Sequence, residues 1–244
     1  MTGQRAVPVW DLPTRAFHWL LVVAVAVSYV TGGEEGWLFV VHTVSGYVVA
    51  LLLLFRLIWG VIGSPHSRFR DFVYGRQVVG NYVRRLLALD PPRYVGHNPL
   101  GGWMVVLMLV VLSLTVVTGL FSGEKGGPTG LLFSVVSAPE SEGLGEVHEV
   151  FANLIVLLAV VHICGVLADW WLTGENLVSA MISGLKQLDE TGAPAEKPPA
   201  PTWRMIVAAG LVAVVGAPLF AKTDFAALAT AHAEHRDNAH EEDE

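Results

Sequence analysis

The apolar residues of this chain fall into five long runs that polar segments separate. Four runs cover about residues 16–31, 37–62, 99–121 and 147–171, and runs of this order allow a helix to cross the hydrocarbon core of a bilayer. A fifth run, 203–221, predicts one more crossing. The pattern therefore predicts an all-α integral membrane protein, in which a four-helix transmembrane bundle is followed by a fifth, C-terminal transmembrane helix.

The polar segments set the domain boundaries. Residues 1–190 contain the four-helix domain, and 191–202 is rich in Pro and Ala, which predicts an extended linker. Residues 222–244 form an acidic segment with little to bury, which predicts a disordered tail. Three histidines of this tail could bind a metal, but a solvated tail is the favoured interpretation; they are His232, His235 and His240.

Charge sets the orientation in the membrane. The connection 63–98 is rich in arginine, which places it on the cytoplasmic side, and its apolar residues recur every three or four positions, which predicts an amphipathic helix on the inner leaflet. Asn98 followed by Pro99 predicts the cap and first turn of the third span. The connection 122–146 is acidic and belongs outside. The N-terminus is therefore predicted to be cytoplasmic and the C-terminal tail to lie outside.

Composition supports this class of protein. The chain has 244 residues, of which 53% are hydrophobic and 15% charged, and this is too apolar for an ordinary soluble domain. The net charge of −7 does not indicate nucleic acid binding, because acids and bases occupy different segments. Cys164 is the only cysteine, which excludes an intrachain disulfide and a Cys-x-x-Cys-His attachment of c-type haem. Any bound haem would be non-covalent.

Four histidines fall inside the apolar runs. His148 and His162 share the fourth run, and fourteen residues of helix return to nearly the same face with about 21 Å between them along the axis. The predicted orientation places His18 and His162 near the inner surface, and His42 and His148 near the outer one. The sequence therefore predicts two pairs, His18 with His162 and His42 with His148.

Two imidazoles at one depth in an apolar bundle suit the axial ligation of a haem iron, because the macrocycle needs an apolar slot and two neutral nitrogens. Gly46 lies one turn beyond His42, where a missing side chain would let a flat ring approach the helix. Arg15 and Arg56 are placed to bind propionates, although either could be a positive-inside anchor. A proton relay or an interhelical hydrogen bond in a cofactor-free transporter stays open for the histidines.

Several further motifs occur in one order within about residues 7–188. They are Val9-Trp10-Asp11, Arg15-Ala16-Phe17-His18-Trp19, His42 with Gly46-Tyr47, Phe55-Arg56-Leu57-Ile58-Trp59-Gly60, Gly96-His97-Asn98-Pro99-Leu100-Gly101, and Glu146-Val147-His148-Glu149 with His162. In these motifs the chain resembles the bacterial cytochrome b561 family, which includes the b-type cytochrome subunits of membrane-bound nickel-iron hydrogenases. The resemblance implies a four-helix haem-binding bundle in which His18, His42, His148 and His162 hold two non-covalent haem b groups.

The resemblance also implies electron exchange with quinone, in a bacterial inner membrane. We therefore expect an electron-transfer protein, or a subunit of a quinone-linked oxidoreductase, that connects the quinone pool with a periplasmic redox partner. The partner would be a c-type cytochrome or a hydrogenase or dehydrogenase subunit; a pure membrane anchor and a histidine-dependent transporter are the alternatives. A quinone pocket is expected beside Trp10, Arg15 and Arg56. His97 is a weaker candidate for binding the quinone. The family pattern lacks the fifth run and the acidic tail, which leaves the partner open.

Overall fold

The structure is a computed structural model that describes residues 4–34, 36–123, 129–189 and 198–226. Most of the predicted linker and of the acidic tail, including its three histidines, lies outside the described residues. Five of the described helices are long and apolar enough to cross a membrane, and the predicted all-α membrane architecture is confirmed. They are α1 (Leu12–Thr31), α2 (Trp37–Ile62), α5 (Pro99–Phe121), α6 (Ala138–Thr173) and α8 (Thr202–Lys222).

Shorter elements lie between and beside these helices. They are β1 (Gln4–Pro8), α3 (Phe69–Phe72), α4 (Arg76–Leu87), a 3-10 turn (Phe133–Val135), α7 (Leu177–Ser183) and β2 (Leu185–Asp189). The strands form an antiparallel two-stranded ribbon in which Pro8 lies opposite Leu185 and Gln4 opposite Asp189. Gly184 separates α7 from β2 with a φ of 83°, a left-handed conformation that glycine adopts without steric cost.

Helix α1 begins earlier than its apolar run. Its first residue is Leu12 rather than residue 16, because Asp11 caps the helix by accepting the backbone N–H of Thr14 at 3.0 Å. The same carboxylate accepts a hydrogen bond from the indole Nε1 of Trp59 at 3.0 Å. Asp11 therefore fixes the start of α1 and links it to the end of α2.

Helix α6 also begins well before the predicted residue 147, at Ala138. The backbone N–H and the hydroxyl of Ser137 both donate to Glu140 Oε2, at 2.9 and 2.7 Å, so the Ser-x-x-Glu spacing caps the helix. The predicted span starts at residue 147, where the apolar run begins, and the polar first turns of α6 precede it. The start of α5, by contrast, is the predicted one: Asn98 Oδ1 accepts the backbone N–H of Gly101 at 2.7 Å.

Helix α8 extends to Lys222, the first residue of the predicted acidic tail. The hydroxyl of Thr223 donates to Tyr47 Oη at 3.1 Å, and the rings of Tyr47 and Phe220 lie 5.6 Å apart. At the other end of α8, Arg204 donates to the carbonyl of Ile62 at 3.0 Å. The contacts of Thr223 and Phe220 with Tyr47 hold the last described turn in place, and the contact of Arg204 joins the start of α8 to the end of α2.

The chain divides into two compact units, and each of the five long helices contributes to both. Unit 1 contains Met1–Trp19, Phe55–Leu109 and Leu157–Gly210, and unit 2 contains Leu20–Leu54, Val110–Val156 and Leu211–Glu244. The core of unit 1 includes the fully buried side chains of Trp59 and Phe72. The core of unit 2 includes Val40, Val49 and Ile155, and the hydroxyls of Ser28 and Ser45 join α1 to α2 at 2.7 Å.

Candidate functional sites

Unit 2 contains a pair of facing histidines. His42 lies in the second turn of α2 and His148 in the first half of α6. Their ring centroids are 6.0 Å apart and their planes cross at 83°. The two rings are therefore neighbours and lie nearly perpendicular to each other inside the bundle.

Backbone carbonyls orient both rings. His42 Nδ1 lies 2.8 Å from the carbonyl oxygen of Ser28, and His148 Nδ1 lies 2.8 Å from that of Thr115. A carbonyl can only accept, so each Nδ1 carries the hydrogen and donates it. Each Nε2 is then left with an unprotonated lone pair, the form in which histidine binds a metal.

The spacing of this pair fits one metal ion between two imidazoles. Two metal–nitrogen bonds of about 2 Å, each with about 1.2 Å from nitrogen to ring centre, would place the centroids about 6.4 Å apart. In the part of the chain that the structure describes, no group of three or more His, Cys, Asp or Glu side chains could hold a metal ion. The donor set therefore suits an ion whose remaining ligands come from a macrocycle, as in haem.

Two glycines shape the surroundings of this pair. A Cβ at Gly119 of α5 would lie 2.8 Å from both Cε1 and Nδ1 of His148, so only glycine leaves room for the ring. A Cβ at Gly46 would meet no atom within 4 Å, which is the open space that a flat ring beside α2 requires. The sequence analysis did not identify Gly119. Its apolar run contains no signal, other than the glycine itself, that would indicate a contact with His148.

Unit 1 contains the other predicted pair, His18 of α1 and His162 of α6, and these two side chains interact electrostatically. His18 Nδ1 is buried and has no hydrogen-bond partner among the described residues. An unpartnered buried nitrogen costs about 1–3 kcal/mol, which a bound group could offset.

The two predicted arginines have different surroundings in unit 1. Arg56 is buried, donates to the carbonyl of Ser67 at 3.0 Å, and lies with its guanidinium 5.0 Å from the ring centre of Phe69. Arg15 donates through Nη1 to the carbonyl of Ile182, while its Nε is buried and has no hydrogen-bond partner among the described residues. Arg15 therefore has a donor that a bound group could use.

His97 also lies in unit 1, in an aromatic slot. Its ring centroid is 4.6 Å from that of Trp10 and 4.7 Å from that of Phe72, and its Nδ1 is buried without a partner among the described residues. Burial, together with the charges of nearby cations including Arg56 and Lys186, lowers the pKa of His97 to about 3. The ring is therefore neutral at physiological pH.

A buried ion pair lies in the same unit and was not predicted. Lys186 Nζ is 3.0 Å from Glu175 Oε2, and the two side chains are only 5% and 10% exposed. Lys186 also donates to the carbonyl of Tyr94 at 2.9 Å. No sequence pattern marks this pair, because Lys186 is buried only through its position on the ribbon.

Paired histidines in an apolar membrane bundle define the chain as a membrane cytochrome of the b type. The prokaryotic cytochrome b561 family model matches residues 9–184, and the chain belongs to that family. Membership implies haem b, and electron transport in the membrane is the activity of this class. The attachment is non-covalent, since Cys164 is the only cysteine.

Relatives named as probable Ni/Fe-hydrogenase B-type cytochrome subunits are similar to most of the chain. The relative from Rhizobium leguminosarum bv. viciae is 27% identical over 216 residues, covering 74% of this chain and 89% of its own length. The relative from Rhodobacter capsulatus is 26% identical over 213 residues, covering 74% and 81%. The hydrogenase 1 subunit of Escherichia coli K12 is 25% identical over 210 residues, covering 73% and 89%. No solved structure matches the chain.

Proposed function

We propose that this protein is a di-haem b-type cytochrome that carries electrons across the bacterial inner membrane, between the quinone pool and a periplasmic redox partner. The observation that carries the proposal is the pair His42 and His148, whose rings are spaced for one iron and whose Nδ1 atoms are both engaged by carbonyls. Residues 1–190 would form the haem domain, 191–202 the linker and 222–244 the outer acidic tail.

Each histidine pair would hold one haem. His42 and His148 would be the axial ligands in unit 2, beside the open space at Gly46. His18 and His162 would be the ligands in unit 1, where the His18 ring is buried at its Nδ1 edge. Arg15 would bind a propionate through its unused Nε, and Arg56 would add positive charge to the same unit.

When bound, haem supplies the one-electron redox chemistry of the protein. The chain supplies neutral imidazole nitrogens, fixes their orientation through backbone carbonyls, and excludes water with apolar side chains. Since two axial imidazoles leave no open coordination position, the arrangement suits electron transfer and not the binding of a small substrate at the iron.

A quinone would bind in unit 1 beside His97. The neutral ring and its unpartnered Nδ1 would provide a hydrogen bond to a quinone carbonyl, and Trp10 would provide an aromatic surface. The test is quinol-dependent haem reduction in His97→Gln and Arg56→Lys variants that retain full haem content. Slower reduction at unchanged haem content supports the site, and unchanged reduction in both variants counts against it.

The arginine-rich connection supports a cytoplasmic location for that segment and for the N-terminus. The end of α8 contacts Tyr47 in the first half of α2, the half that also carries His42. The C-terminal tail would then lie on the periplasmic side, together with His42 and His148. Alkylation of single cysteines placed near each terminus, in a Cys164→Ala background, tests this orientation in intact cells.

Two observations favour different partners. The names of the relatives favour a nickel-iron hydrogenase, for which this chain would be the membrane cytochrome subunit. The acidic tail and the acidic outer connection favour a basic c-type cytochrome, which complementary charge would steer. Haem reduction by hydrogen gas in native membranes would identify a hydrogenase as the partner. Haem reduction or oxidation by a c-type cytochrome, at a rate that falls as the salt concentration rises, would identify the cytochrome as the partner.

The first experiment is a reduced-minus-oxidised spectrum with haem quantified per chain, for wild type, His148→Ala and His162→Ala. We expect two haems in wild type and loss of a different one in each variant, while His240→Ala in the tail keeps both. Imidazole in the buffer should restore haem to the alanine variants if the lost group was an axial ligand. Colourless wild-type protein would favour the histidine-dependent transporter instead.

A further inference from the structure

Helix α4 lies outside the membrane-spanning helices, and side-chain contacts fix its level relative to their ends. Its buried Tyr82 donates to Asp169 Oδ1 at 3.4 Å, close to the last residue of α6. Asn98, the cap of α5, donates to the same oxygen at 2.9 Å. Because a helix end and a helix start meet there, α4 lies at the level where these spans leave the bilayer.

The exposed side of α4 carries positive charge that no neighbouring carboxylate neutralises. Arg76 and Arg84 are exposed and eight residues apart, which places them on the same side of the helix, about 12 Å apart along its axis. Within the described parts of the chain, neither forms an ion pair or a side-chain hydrogen bond. Other arginines of this connection do have acidic partners: Arg68 and Arg70 contact Asp71, and Arg85 contacts Asp90.

A glycine lies between the two unpaired arginines on the exposed side of α4. Gly80 lies one turn after Arg76 and one turn before Arg84, and a Cβ at Gly80 would meet no atom within 4 Å. Two guanidinium groups on either side of this open backbone could therefore both reach one phosphate group.

Large apolar side chains extend the same surface. Leu87, which ends α4 on the side of Arg84, is 79% exposed, and Leu89 is 66% exposed. Leu89 also has a φ of 58°, a left-handed conformation that is sterically unfavourable for leucine. An exposed leucine in a strained backbone at the level of the membrane surface gains free energy if an acyl chain covers it.

We propose that Arg76, Arg84 and Leu87, with Leu89, form a binding site for one anionic phospholipid of the leaflet on which α4 lies. The arginines bind its phosphate across Gly80, and the two leucines contact its acyl chains. The site is independent of the haem sites and of the proposed quinone site. The connection between α2 and α5 would therefore bind a specific lipid, in addition to attracting anionic lipids through its general positive charge.

The test is a titration of the haem-loaded full chain in detergent with dioleoyl phosphatidylglycerol and with dioleoyl phosphatidylcholine, followed by native mass spectrometry. The double variant Arg76→Gln/Arg84→Gln should bind phosphatidylglycerol about thirtyfold more weakly, the loss expected for two arginines at a membrane surface. Its affinity for phosphatidylcholine should change much less. Leu87→Gln should weaken binding of both lipids, because both have the same acyl chains.

The matched control is Arg70→Gln/Arg85→Gln, which removes the same charge from arginines that already have acidic partners. This control should retain the preference for phosphatidylglycerol. An equal loss of phosphatidylglycerol affinity in both double variants would show that only general surface charge attracts the lipid, and it would overturn the site. An unchanged preference for phosphatidylglycerol in Arg76→Gln/Arg84→Gln would overturn it as well. Haem content per chain verifies that each variant is folded.

Discussion

The imidazole of His148, on α6, donates its Nδ1 hydrogen to the backbone carbonyl of Thr115, on α5, at 2.8 Å. Helix α5 contains none of the four predicted ligands, yet it determines which nitrogen of His148 is available. Thr115 and Gly119 lie one turn apart on α5, so one helix face both orients the ring and leaves space for it.

Gly119→Ala should disturb the haem site of unit 2 selectively. The new Cβ would lie 2.8 Å from His148, and overpacking of this kind costs about 1–3 kcal/mol. We expect lower occupancy or a shifted midpoint potential for one haem, with the other unchanged, in a redox titration of the purified protein. Gly210→Ala is the matched control, since a Cβ there meets no atom within 4 Å. Equal titrations for Gly119→Ala and wild type would contradict the proposed role of His148.

Lys186→Met should destabilise the protein strongly. It removes one partner of a buried ion pair and leaves the Glu175 carboxylate buried without its cation, which typically costs about 3–5 kcal/mol. The double variant Lys186→Met/Glu175→Gln should recover a large part of that loss, because no buried charge remains unpaired. Thermal unfolding in detergent measures the stability of the single and the double variant. A double variant less stable than the single one would mean that the pair does not act as a unit.

The attachment of α8 to α2 can be measured with a double-mutant cycle. Tyr47→Phe and Thr223→Ala each remove the hydrogen bond of 3.1 Å between these side chains, and each should cost about 0.5–1.5 kcal/mol. The double variant should cost less than the sum of the two single variants, because they share one interaction. Strict additivity in chemical unfolding would show that the contact contributes nothing to stability.

His97 should make the folded state less stable in acid. Burial lowers its pKa to about 3 from the ordinary value of 6.5, so between these values the unfolded chain binds a proton that the folded chain does not. Stability due to this group is therefore complete above about pH 6.5 and falls as the pH decreases towards 3. Between about pH 7 and about pH 5.5, wild type should lose about 1 kcal/mol more than His97→Gln, or about 3 °C in apparent Tm. Parallel pH profiles for the two proteins would contradict a buried, neutral His97.

Periodicity and charge predicted the elements that depend on local sequence. The five apolar runs predicted five spanning helices, and Asn98 with Pro99 predicted the start of α5, because hydropathy and capping act within a few residues. The start of α6 is also encoded locally, in Ser137 and Glu140, and its polar first turns precede the apolar run that predicted the fourth span.

Contacts between residues far apart in the sequence could not be predicted in this way. The ribbon pairs residues near the N-terminus with residues after α7, and no local pattern in either segment identifies its partner. The buried position of Lys186 follows from that pairing. Likewise, the role of Gly119 depends on how closely α5 and α6 approach each other, which a single sequence does not specify.

The ribbon also has a consequence for biosynthesis. Pro8 and its neighbours are made first, but the strand with which they pair begins at Leu185. At about 5–20 residues per second, the ribosome needs roughly 10–40 s to make the intervening chain. The N-terminal strand therefore remains unpaired, and accessible to proteases, until the first four spans have been synthesised. Closure of the ribbon marks the completion of the core, and a truncated chain that stops before Leu185 leaves its N-terminus open to degradation.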